Sequence, residues 1–533
     1  MKTTAKRFLK TLLPLFLTVV LIAGALVGCS GKSESGGDMA GNGYRDRFPA
    51  EAAGEAELHS KSDKDKDGED GESPRDFVEN PFIDTSRQAV STFSADVDTA
   101  SYALFRKTIT GWVRQKANKQ TILSALEKNA SSFRTEEFLN YFRYEANAPQ
   151  DGELFGTTVG ILPCPWNEKT QLLRLTLQAP ATTPTGGNNL VFLIDVSGSM
   201  SGEDKLPLLK QAFSYLVDQL TERDVVSIVT YSGEEKVVLQ GCAGNERQKI
   251  LDAVNGLTAR GATNGEAGLT MAYKLAADYR IEGGNNRIIM ASDGDLNVGI
   301  SSSDELKTFI EGKRNEGTFL SILGFGSGNY RDNTMETLAH NGNGVYYYID
   351  GVSEAQKVFG TDLIATLYTV AKDVKLQLTF DPTYIASYRQ IGYENRQLSR
   401  EDFTDDTKDA GEVGAGHQVT VFYELVMTEN GQKTDLAADT EFMTLAVRYK
   451  APDGDVSKED AYSIGVSDCT VPDSDTEFMF CVLEVTMLLH NSVHLPSDGS
   501  VTYATVLAKL RGLDLDSHSD RAEFRSLLAS FAG

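Results

Sequence analysis

Three short polar segments hold the side chains of this sequence that are best suited to chemistry. The first, Asp195–Met200 (DVSGSM), follows the apolar run Leu190–Ile194 and adds a carboxylate and two hydroxyls to its end. The second, Gly261–Gly265 (GATNG), contributes a third hydroxyl, and the third, Ser292–Asp295 (SDGD), follows the apolar run Arg287–Ala291. These segments contain no His or Cys. A donor set made only of oxygen suits Mg²⁺ or Mn²⁺, with Ca²⁺ as a looser alternative.

The elements around these segments determine whether the three of them can meet. Between Leu190 and about Ala371, short apolar strands alternate with helical patterns, which predicts an α/β fold with a doubly wound, mostly parallel sheet. Strands are predicted at Leu190–Asp195, Val225–Tyr231, Arg287–Ala291, Leu320–Gly324 and Val345–Ile349. Helices are predicted at Leu206–Leu220, Ala267–Tyr279, Asp304–Arg314, Asp332–His340 and about Ser353–Val370. Because ligands of such sheets bind at the carboxyl ends of the strands, we expect the polar segments to converge on one site.

A nucleophilic serine is the main chemical alternative for the first segment. A G-x-S-x-G turn would need Ser midway between two glycines, but Gly198 and Gly202 have Met200 between them. No S-x-x-K motif begins here, none of the His residues lies in the three segments, and no G-x-x-x-x-G-K-[ST] loop follows a strand. These observations disfavour a hydrolase and predict a protein that is not an enzyme. For DVSGSM taken alone, a plain polar turn is the structural alternative.

The order Asp-x-Ser-x-Ser, then Thr, then Asp resembles the metal-ion-dependent adhesion site of von Willebrand factor type A (VWA) domains. The likeness covers about residues 188–371 and implies a Rossmann-like VWA fold. It implies that three hydroxyls bind a divalent metal and that two carboxylates act directly or through water. The metal-binding residues that it implies are Asp195, Ser197, Ser199, Thr263 and Asp293.

The same resemblance implies a partner for the metal. One position on the ion is left open, and an acidic side chain of a protein partner fills it. An ion held mostly by neutral hydroxyls keeps excess positive charge, which attracts a carboxylate. Ser292 and Asp295 are expected to support the loop rather than to bind the ion.

The first residues predict the compartment. Lys2, Lys6, Arg7 and Lys10 precede the apolar stretch 11–27, which is typical of a signal peptide. The stretch ends in Gly28-Cys29 and resembles the lipobox of bacterial lipoproteins, in which the Cys is lipidated; an ordinary signal peptide or an uncleaved anchor helix is the alternative. Lipidation of Cys29 would anchor the protein durably to the outside of the cell membrane. In a two-membrane cell, that membrane could be the outer one.

The rest of the chain is predicted to frame the central domain. Residues 30–80 are acidic and rich in Gly and Ser, so we expect a flexible tether. Residues 81–187 and 372–533 combine strand and helix patterns, and we expect their strands to pair around an inserted domain at 188–371 in a β-rich, sandwich-like unit. Helical patterns are predicted at Ala100–Lys116 and Thr121–Phe142, with Arg134–Glu137 opening the last helix, and again near the C-terminus. Two segments, Ser91–Tyr102 and Ile391–Arg396, resemble the flanks of a bacterial lipoprotein family with a central VWA domain.

Charge and the remaining side chains narrow the function. The net charge of −25 over 533 residues argues against nucleic-acid binding, which needs a basic surface. A bridge between Cys469 and Cys481 is possible, and Asp96 with Asp98 either binds a second ion or accepts hydrogen bonds from the following turn. The sequence thus predicts a membrane-anchored binding protein. A structural envelope protein with a fold-stabilising metal is the alternative, and a metal-assisted hydrolase is a remote third.

Overall fold

The computed structural model describes residues 78–150, 152–181, 186–261, 265–294, 303–326, 332–363, 368–408, 410–452, 454 and 456–533. The described residues belong to one compact unit. Throughout the described parts of that unit, none of the helices combines the length and the hydropathy that a bilayer span requires.

The central α/β domain is a mixed sheet with strand order β10–β9–β8–β5–β6–β7. Its strands are β5 (Asn188–Asp195), β6 (Val225–Tyr231), β7 (Lys236–Ala243), β8 (Asn285–Ser292), β9 (Phe319–Phe325) and β10 (Tyr346–Ile349). The strands pair in parallel except for β7, which runs antiparallel to β6 at the edge. The predicted fold class is confirmed, while the edge strand β7 was missed because its burial is mixed and its apolar run is short.

Strand β5 shows why this sheet is covered on both faces. Successive side chains of a strand point to opposite faces, so a strand that is apolar throughout must be buried twice. Leu190, Phe192 and Ile194 enter one hydrophobic core, and Val191 and Leu193 enter another. Within the domain the helices, which follow the strands in chain order, are α4 (Leu206–Val217), α5 (Arg247–Asn255), α6 (Glu266–Asp278), α7 (Ser303–Asn315), α8 (Asp332–Asn341) and α9 (Val352–Lys357).

The flanks build a sandwich of two antiparallel sheets, with strand orders β1–β12–β15–β4–β3 and β13–β2–β11–β16–β17, and β14 pairing with β11. Before the α/β domain come β1 (Ile83–Asp84), β2 (Val90–Ser94), β3 (Gly156–Pro163) and β4 (Gln171–Gln178). After it come β11 (Thr369–Phe380), β12 (Ile385–Ile391), β13 (Gln397–Leu398), β14 (Gly411–Gly414), β15 (Gln418–Met427), β16 (Glu441–Lys450) and β17 (Ser457–Gly465). Because β2 pairs with β11 and β4 with β15, the α/β domain is inserted between strands that pair with each other, as predicted.

Helices from both flanks share an aromatic core. They are α1 (Ala100–Arg114), α2 (Lys119–Lys128), α3 (Thr135–Tyr141), α10 (Ser474–Leu489), α11 (Tyr503–Gly512) and α12 (Ser519–Ala532). Phe142, which follows α3, lies with its ring centroid 4.9 Å from that of Phe478 in α10 and 5.8 Å from that of Phe524 in α12. The packing of these rings joins the two ends of the folded chain.

Local structure departs from two helix predictions and answers one question that the sequence left open. The helical pattern predicted over Thr121–Phe142 is interrupted by a 3₁₀ turn at Ala130–Ser132, where the Asn129 side chain caps the carbonyl of Ala125, and its last helix opens at Arg134–Glu137 as predicted. The helix expected to reach Val370 is π-helical at Val358–Asp362, and strand β11 already begins at Thr369. The possible bridge is absent, since Cys469 is an exposed free thiol and Cys481 a buried one.

Candidate metal centre

The candidate site lies at the carboxyl ends of two adjacent strands, β5 and β8. Ile194 of β5 pairs with Ala291 of β8, so the next residues, Asp195 and Ser292, end neighbouring strands. Both are fully buried, and Asp293 is 8% exposed. The Ser292 hydroxyl accepts a hydrogen bond from the Gly294 amide at 3.2 Å, which holds the start of this loop against the sheet.

The DVSGSM turn brings its oxygens together. The Ser197 amide donates to Asp195 Oδ1 at 2.8 Å, and the chain then enters a 3₁₀ turn at Gly198–Ser201. As a result, the hydroxyls of Ser197 and Ser199 are hydrogen-bonded to each other, with their Oγ atoms 2.9 Å apart. Ser197 is buried and Ser199 is exposed, so the hydroxyl pair spans the boundary between protein and solvent.

This spacing fits a hard divalent ion. Two oxygens bound at right angles to Mg²⁺, each about 2.0–2.1 Å from the ion, lie about 2.8–3.0 Å apart. The two serine hydroxyls, hydrogen-bonded to each other in this structure, already have a separation in that range. No three His, Cys, Asp or Glu side chains gather as a metal cluster anywhere in the described residues.

The second polar segment adjoins the first through backbone hydrogen bonds. Gly198 N donates to Gly261 O at 3.0 Å, and Arg260 N donates to Val196 O at 2.7 Å. Gly261 has φ +82°, a left-handed conformation that glycine adopts without strain, whereas Gly265 has φ −94°. Thr263 and Asp295 lie outside the described residues, as does Cys29.

Lys205 is a site residue that the sequence analysis missed. Its Nζ donates to Asp293 Oδ2 at 2.8 Å, and the two side chains are only 16% and 3% exposed. The signal available in the sequence was a lysine at the start of the helix that follows DVSGSM. A lone lysine on a loop is usually a solvated charge, so nothing in its spacing predicted this contact.

A second carboxylate turn, Asp96–Asp98, follows β2 in the N-terminal flank. The Asp98 amide donates to Asp96 Oδ1 at 3.0 Å, as one of the two alternatives predicted. Arg396 then closes the turn, with Nε 3.1 Å from Asp96 Oδ2 and Nη2 3.2 Å from Asp98 Oδ2. Burial and the charge of Asp96 raise the pKa of Asp98. Burial opposes ionisation of Asp96, yet the Arg396 charge and the Asp98 amide lower its pKa.

This cluster joins the flanks to the central domain. Arg396 Nη1 contacts His340 Nδ1 at 3.2 Å, and Arg396 Nη2 lies 3.6 Å from Glu336 Oε1, both on α8. Arg134 of the N-terminal flank also pairs with Glu336, at 2.7 Å. We call Asp96, Asp98, Arg134, Glu336 and Arg396 the arginine junction.

A small polar cavity beside the arginine junction shifts the pKa of three of its lining groups in the direction that favours their neutral forms. Burial lowers the pKa of His340 to about 4 and that of His417 to about 3, and it raises the pKa of Glu412 to about 7. His417 is 6% exposed, and its Nδ1 has no hydrogen-bond partner among the described residues. The burial of this cavity therefore opposes protonation of both His340 and His417.

An α/β sheet with an Asp-x-Ser-x-Ser turn at its strand ends defines the class of VWA-domain proteins, and the family model of the von Willebrand factor type A domain matches residues 189–361. Models described as von Willebrand factor and as uncharacterized protein YfbK, C-terminal, match residues 69–174 and 365–532. Uncharacterized protein YfbK of Escherichia coli (strain K12) is 36% identical over 475 residues, which cover 85% of this chain and 80% of that protein. The chain belongs to the YfbK family of VWA-domain proteins.

Other relatives match a smaller region. Human inter-alpha-trypsin inhibitor heavy chain H3 is 33% identical over 177 residues, which are 31% of this chain and 19% of that protein. Among solved structures, the von Willebrand factor type A protein from Catenulispora acidiphila aligns over 73% of this chain and 98% of its own, with 15% identity and a TM-score of 0.40.

Proposed function

We propose that this protein is an extracytoplasmic, lipid-anchored binding protein whose VWA domain engages a protein partner through a divalent metal. The observation that carries the proposal is the pair of hydroxyls of Ser197 and Ser199, 2.9 Å apart, beside buried Asp195 and Asp293. The family supports the coarser statement, since VWA domains mediate protein–protein interactions. A plain polar turn at the end of a strand does not require buried carboxylates or converging hydroxyls, so these features favour a metal centre over that alternative.

The metal in this proposal is Mg²⁺ or Mn²⁺. Asp195, Ser197, Ser199, Thr263 and Asp293 would hold it, and its chemistry is that of a positive centre that accepts one more oxygen. The partner would supply that oxygen from an Asp or Glu side chain. Ser199 is exposed, so the solvent side of the hydroxyl pair is accessible to such a group.

Binding of the metal is tested first, by titrating the purified protein with MgCl₂ in a calorimeter. We expect saturable binding by the wild type and none by Asp195→Ala or Thr263→Ala. Asp278→Ala, which removes a carboxylate from a surface ion pair, is the matched control and should bind as the wild type does. Equal heats from all four proteins would contradict the proposed metal centre.

Binding of a partner is tested by capture from envelope extract. The wild type should retain a protein in Mg²⁺ and release it in EDTA, and Asp195→Ala should retain none. An acidic-to-amide substitution in the captured protein should then abolish binding. A structural envelope protein would give a different result. Asp195→Ala would then bind no metal and unfold, and the wild type would capture no partner, which would mean that the metal serves the fold alone.

The membrane anchor is a separate part of the proposal and rests on the lipobox-like sequence ending at Cys29. Growth with an alkyne-tagged fatty acid should label the wild-type protein, and Cys29→Ser should remain unlabelled. Release of the unlabelled variant into the soluble extracytoplasmic fraction would support anchoring by lipid. Labelling of Cys29→Ser at the wild-type level would overturn it.

A further inference from the structure

The ion pair between Lys205 and Asp293 places a cation of the protein on a carboxylate that the metal would use. Lys205 Nζ lies 2.8 Å from Asp293 Oδ2 and is largely withdrawn from solvent, with 16% of the lysine side chain exposed. Charged hydrogen bonds of this kind are about twice as strong as neutral ones. Lys205 is therefore a defined neighbour of the metal centre rather than a solvated surface lysine.

The stem of Lys205 is held in place by a glycine. Gly326, which follows β9, has φ +82°, and a Cβ atom added there would lie 2.1 Å from Lys205 Cε. The hydroxyl of Tyr348 donates to the carbonyl of Gly326 and fixes this backbone from the other side. Because only glycine leaves room for the aliphatic stem, the ammonium group is directed toward Asp293 by the packing around it.

The helix itself does not favour a positive charge at this position. Lys205 precedes α4, and its carbonyl accepts the first hydrogen bond of that helix, from Leu209 N at 2.9 Å. The partial positive charge of a helix N-terminus repels a nearby cation. The lysine charge is thus offset by Asp293, and the buried carboxylate is offset by the lysine.

We propose that Lys205 is a built-in counter-ion that competes with the divalent metal for Asp293. Metal binding is then an exchange in which the Lys205 ammonium gives up the Asp293 carboxylate and the ion takes it. The exchange keeps the buried carboxylate neutralised with or without metal, and it lowers the apparent affinity for the ion. This inference rests on the proposed function, because it concerns the same metal centre.

Calorimetric titration with MgCl₂ of the full chain tests the exchange. Lys205→Met removes the charge and keeps most of the stem, so we expect Mg²⁺ to bind at least about tenfold more tightly, the factor that loss of a competing charged hydrogen bond implies. Lys205→Arg, which keeps the charge, should stay nearer to the wild type. Lys274→Met, which removes a lysine from a surface ion pair, is the matched control and should not differ from it.

The outcomes separate this inference from the proposed function. Unchanged or weaker Mg²⁺ binding by Lys205→Met, with normal binding by the wild type, would overturn the exchange and leave the metal centre standing. Weaker binding in particular would mean that Lys205 assists the ion or its ligand. Absence of binding by both proteins would overturn both, whereas binding by Lys205→Met alone would mean that the lysine excludes the ion.

A second readout does not depend on metal affinity. In EDTA, Lys205→Met leaves Asp293 without its lysine and should unfold at a lower denaturant concentration than Lys274→Met. Saturating Mg²⁺ should then raise the denaturant midpoint of Lys205→Met to that of the wild type in the same Mg²⁺. A midpoint in EDTA equal to that of the control would show that Lys205 does not neutralise the site, and would overturn the inference. Lys205→Gln provides the same test if the Met variant does not fold.

Discussion

The candidate metal site at Asp195, Ser197, Ser199 and Asp293, which we call the metal edge, and the arginine junction contain the same local turn in different surroundings. In each, an aspartate at the end of a strand accepts a hydrogen bond from the amide two residues later, in Asp195–Ser197 and in Asp96–Asp98. At the junction, Arg396 binds both carboxylates and reaches α8 as well. At the edge, the third residue offers a hydroxyl, and Lys205 makes one contact with the neighbouring strand's Asp293.

The difference shows how the same turn can serve as a structural lock, held by Arg396, in one region and as a candidate metal site in the other. A guanidinium has several donors in a rigid fork, so it can satisfy two carboxylates at once and leave little room for a metal. A lysine ammonium is a single charge on a flexible stem and is easier to displace. The cation that binds the nearby carboxylates, rather than the turn itself, is what differs between the two regions.

The largest expected effect comes from breaking the lock. Arg396→Met leaves Asp96 and Asp98 buried without the cation that binds both of them, and this should lower the free energy of unfolding by about 3–5 kcal/mol. Denaturant titration measures it. The matched control is Arg525→Met, in a surface pair with Asp516 whose side chain is 86% exposed, and it should change stability by less than about 0.5 kcal/mol.

A rescue sharpens the same comparison. Asp96→Asn and Asp98→Asn added to Arg396→Met should recover part of the lost stability, because removing a whole buried ionic cluster costs less than removing one partner. A loss below about 1 kcal/mol for Arg396→Met alone would contradict the assignment of the junction as a lock.

The cavity beside the junction predicts a dependence on pH. Burial, and then the charges of Arg143 and Lys357, lower the pKa of His417 to about 3 from an ordinary 6.5. The folded protein therefore binds this proton less well than the unfolded chain, and stability is lost as pH falls below 6.5. At pH 4.5 this amounts to about 2–3 kcal/mol. His417→Gln should remove most of that loss.

Denaturant titrations at pH 7.5 and 4.5 measure the effect as a difference between the two stabilities. The exposed His518→Gln serves as the control and should keep the wild-type difference. A His417→Gln protein that loses as much stability on acidification as the wild type would show that His417 is protonated without cost in the folded state.

At the metal edge a smaller effect is expected from one hydroxyl. At a Mg²⁺ concentration a hundred times Kd, binding adds about 2.7 kcal/mol to stability, and a tenfold loss of affinity in Ser199→Ala would reduce this to about 1.4 kcal/mol. Unfolding with and without Mg²⁺ measures both. Ser201→Ala, in the same 3₁₀ turn, should retain the full increment. Equal gains in stability on Mg²⁺ binding by the two variants would show that Ser199 does not bind the ion.

The smallest effect is expected where the flank meets the metal edge. Lys107 of α1 pairs with Asp204 at 3.1 Å, but the Asp204 side chain is 40% exposed and screened by water. Lys107→Met should therefore change stability by less than about 1 kcal/mol and leave Mg²⁺ affinity within about threefold. A larger change in affinity would mean that the flank controls the metal edge and that the two regions are not independent.

Periodicity and motif order predicted the α/β sheet because its strands are buried on both faces and its donors follow their ends. The insertion of this domain was also predicted, since strand patterns lie on both sides of it. Lys205 and Arg396 could not be assigned in this way. Their roles depend on Asp293 and on Asp96, which lie 88 and 300 residues away in the chain. No local pattern encodes which distant carboxylate a cation will meet.

The break at Ala130–Ser132 and the β7 edge strand were missed for related reasons. A single capping side chain, Asn129, ends a helix whose apolar spacing continues beyond it. Strand β7 is half exposed, so neither alternation nor a continuous apolar run marks it. In both cases the deciding interaction is one hydrogen bond or one edge pairing rather than a repeated pattern.

The pairing of β2 with β11 has a consequence for how the chain is made. Ser94 pairs with Lys375, so β2 leaves the ribosome long before its partner exists, by on the order of tens of seconds at usual rates of synthesis. The strands of the central domain, by contrast, pair within residues 188–349. The central domain can thus complete its sheet before the N-terminal flank has its partner strand, and the sandwich forms last, around a domain that is already folded.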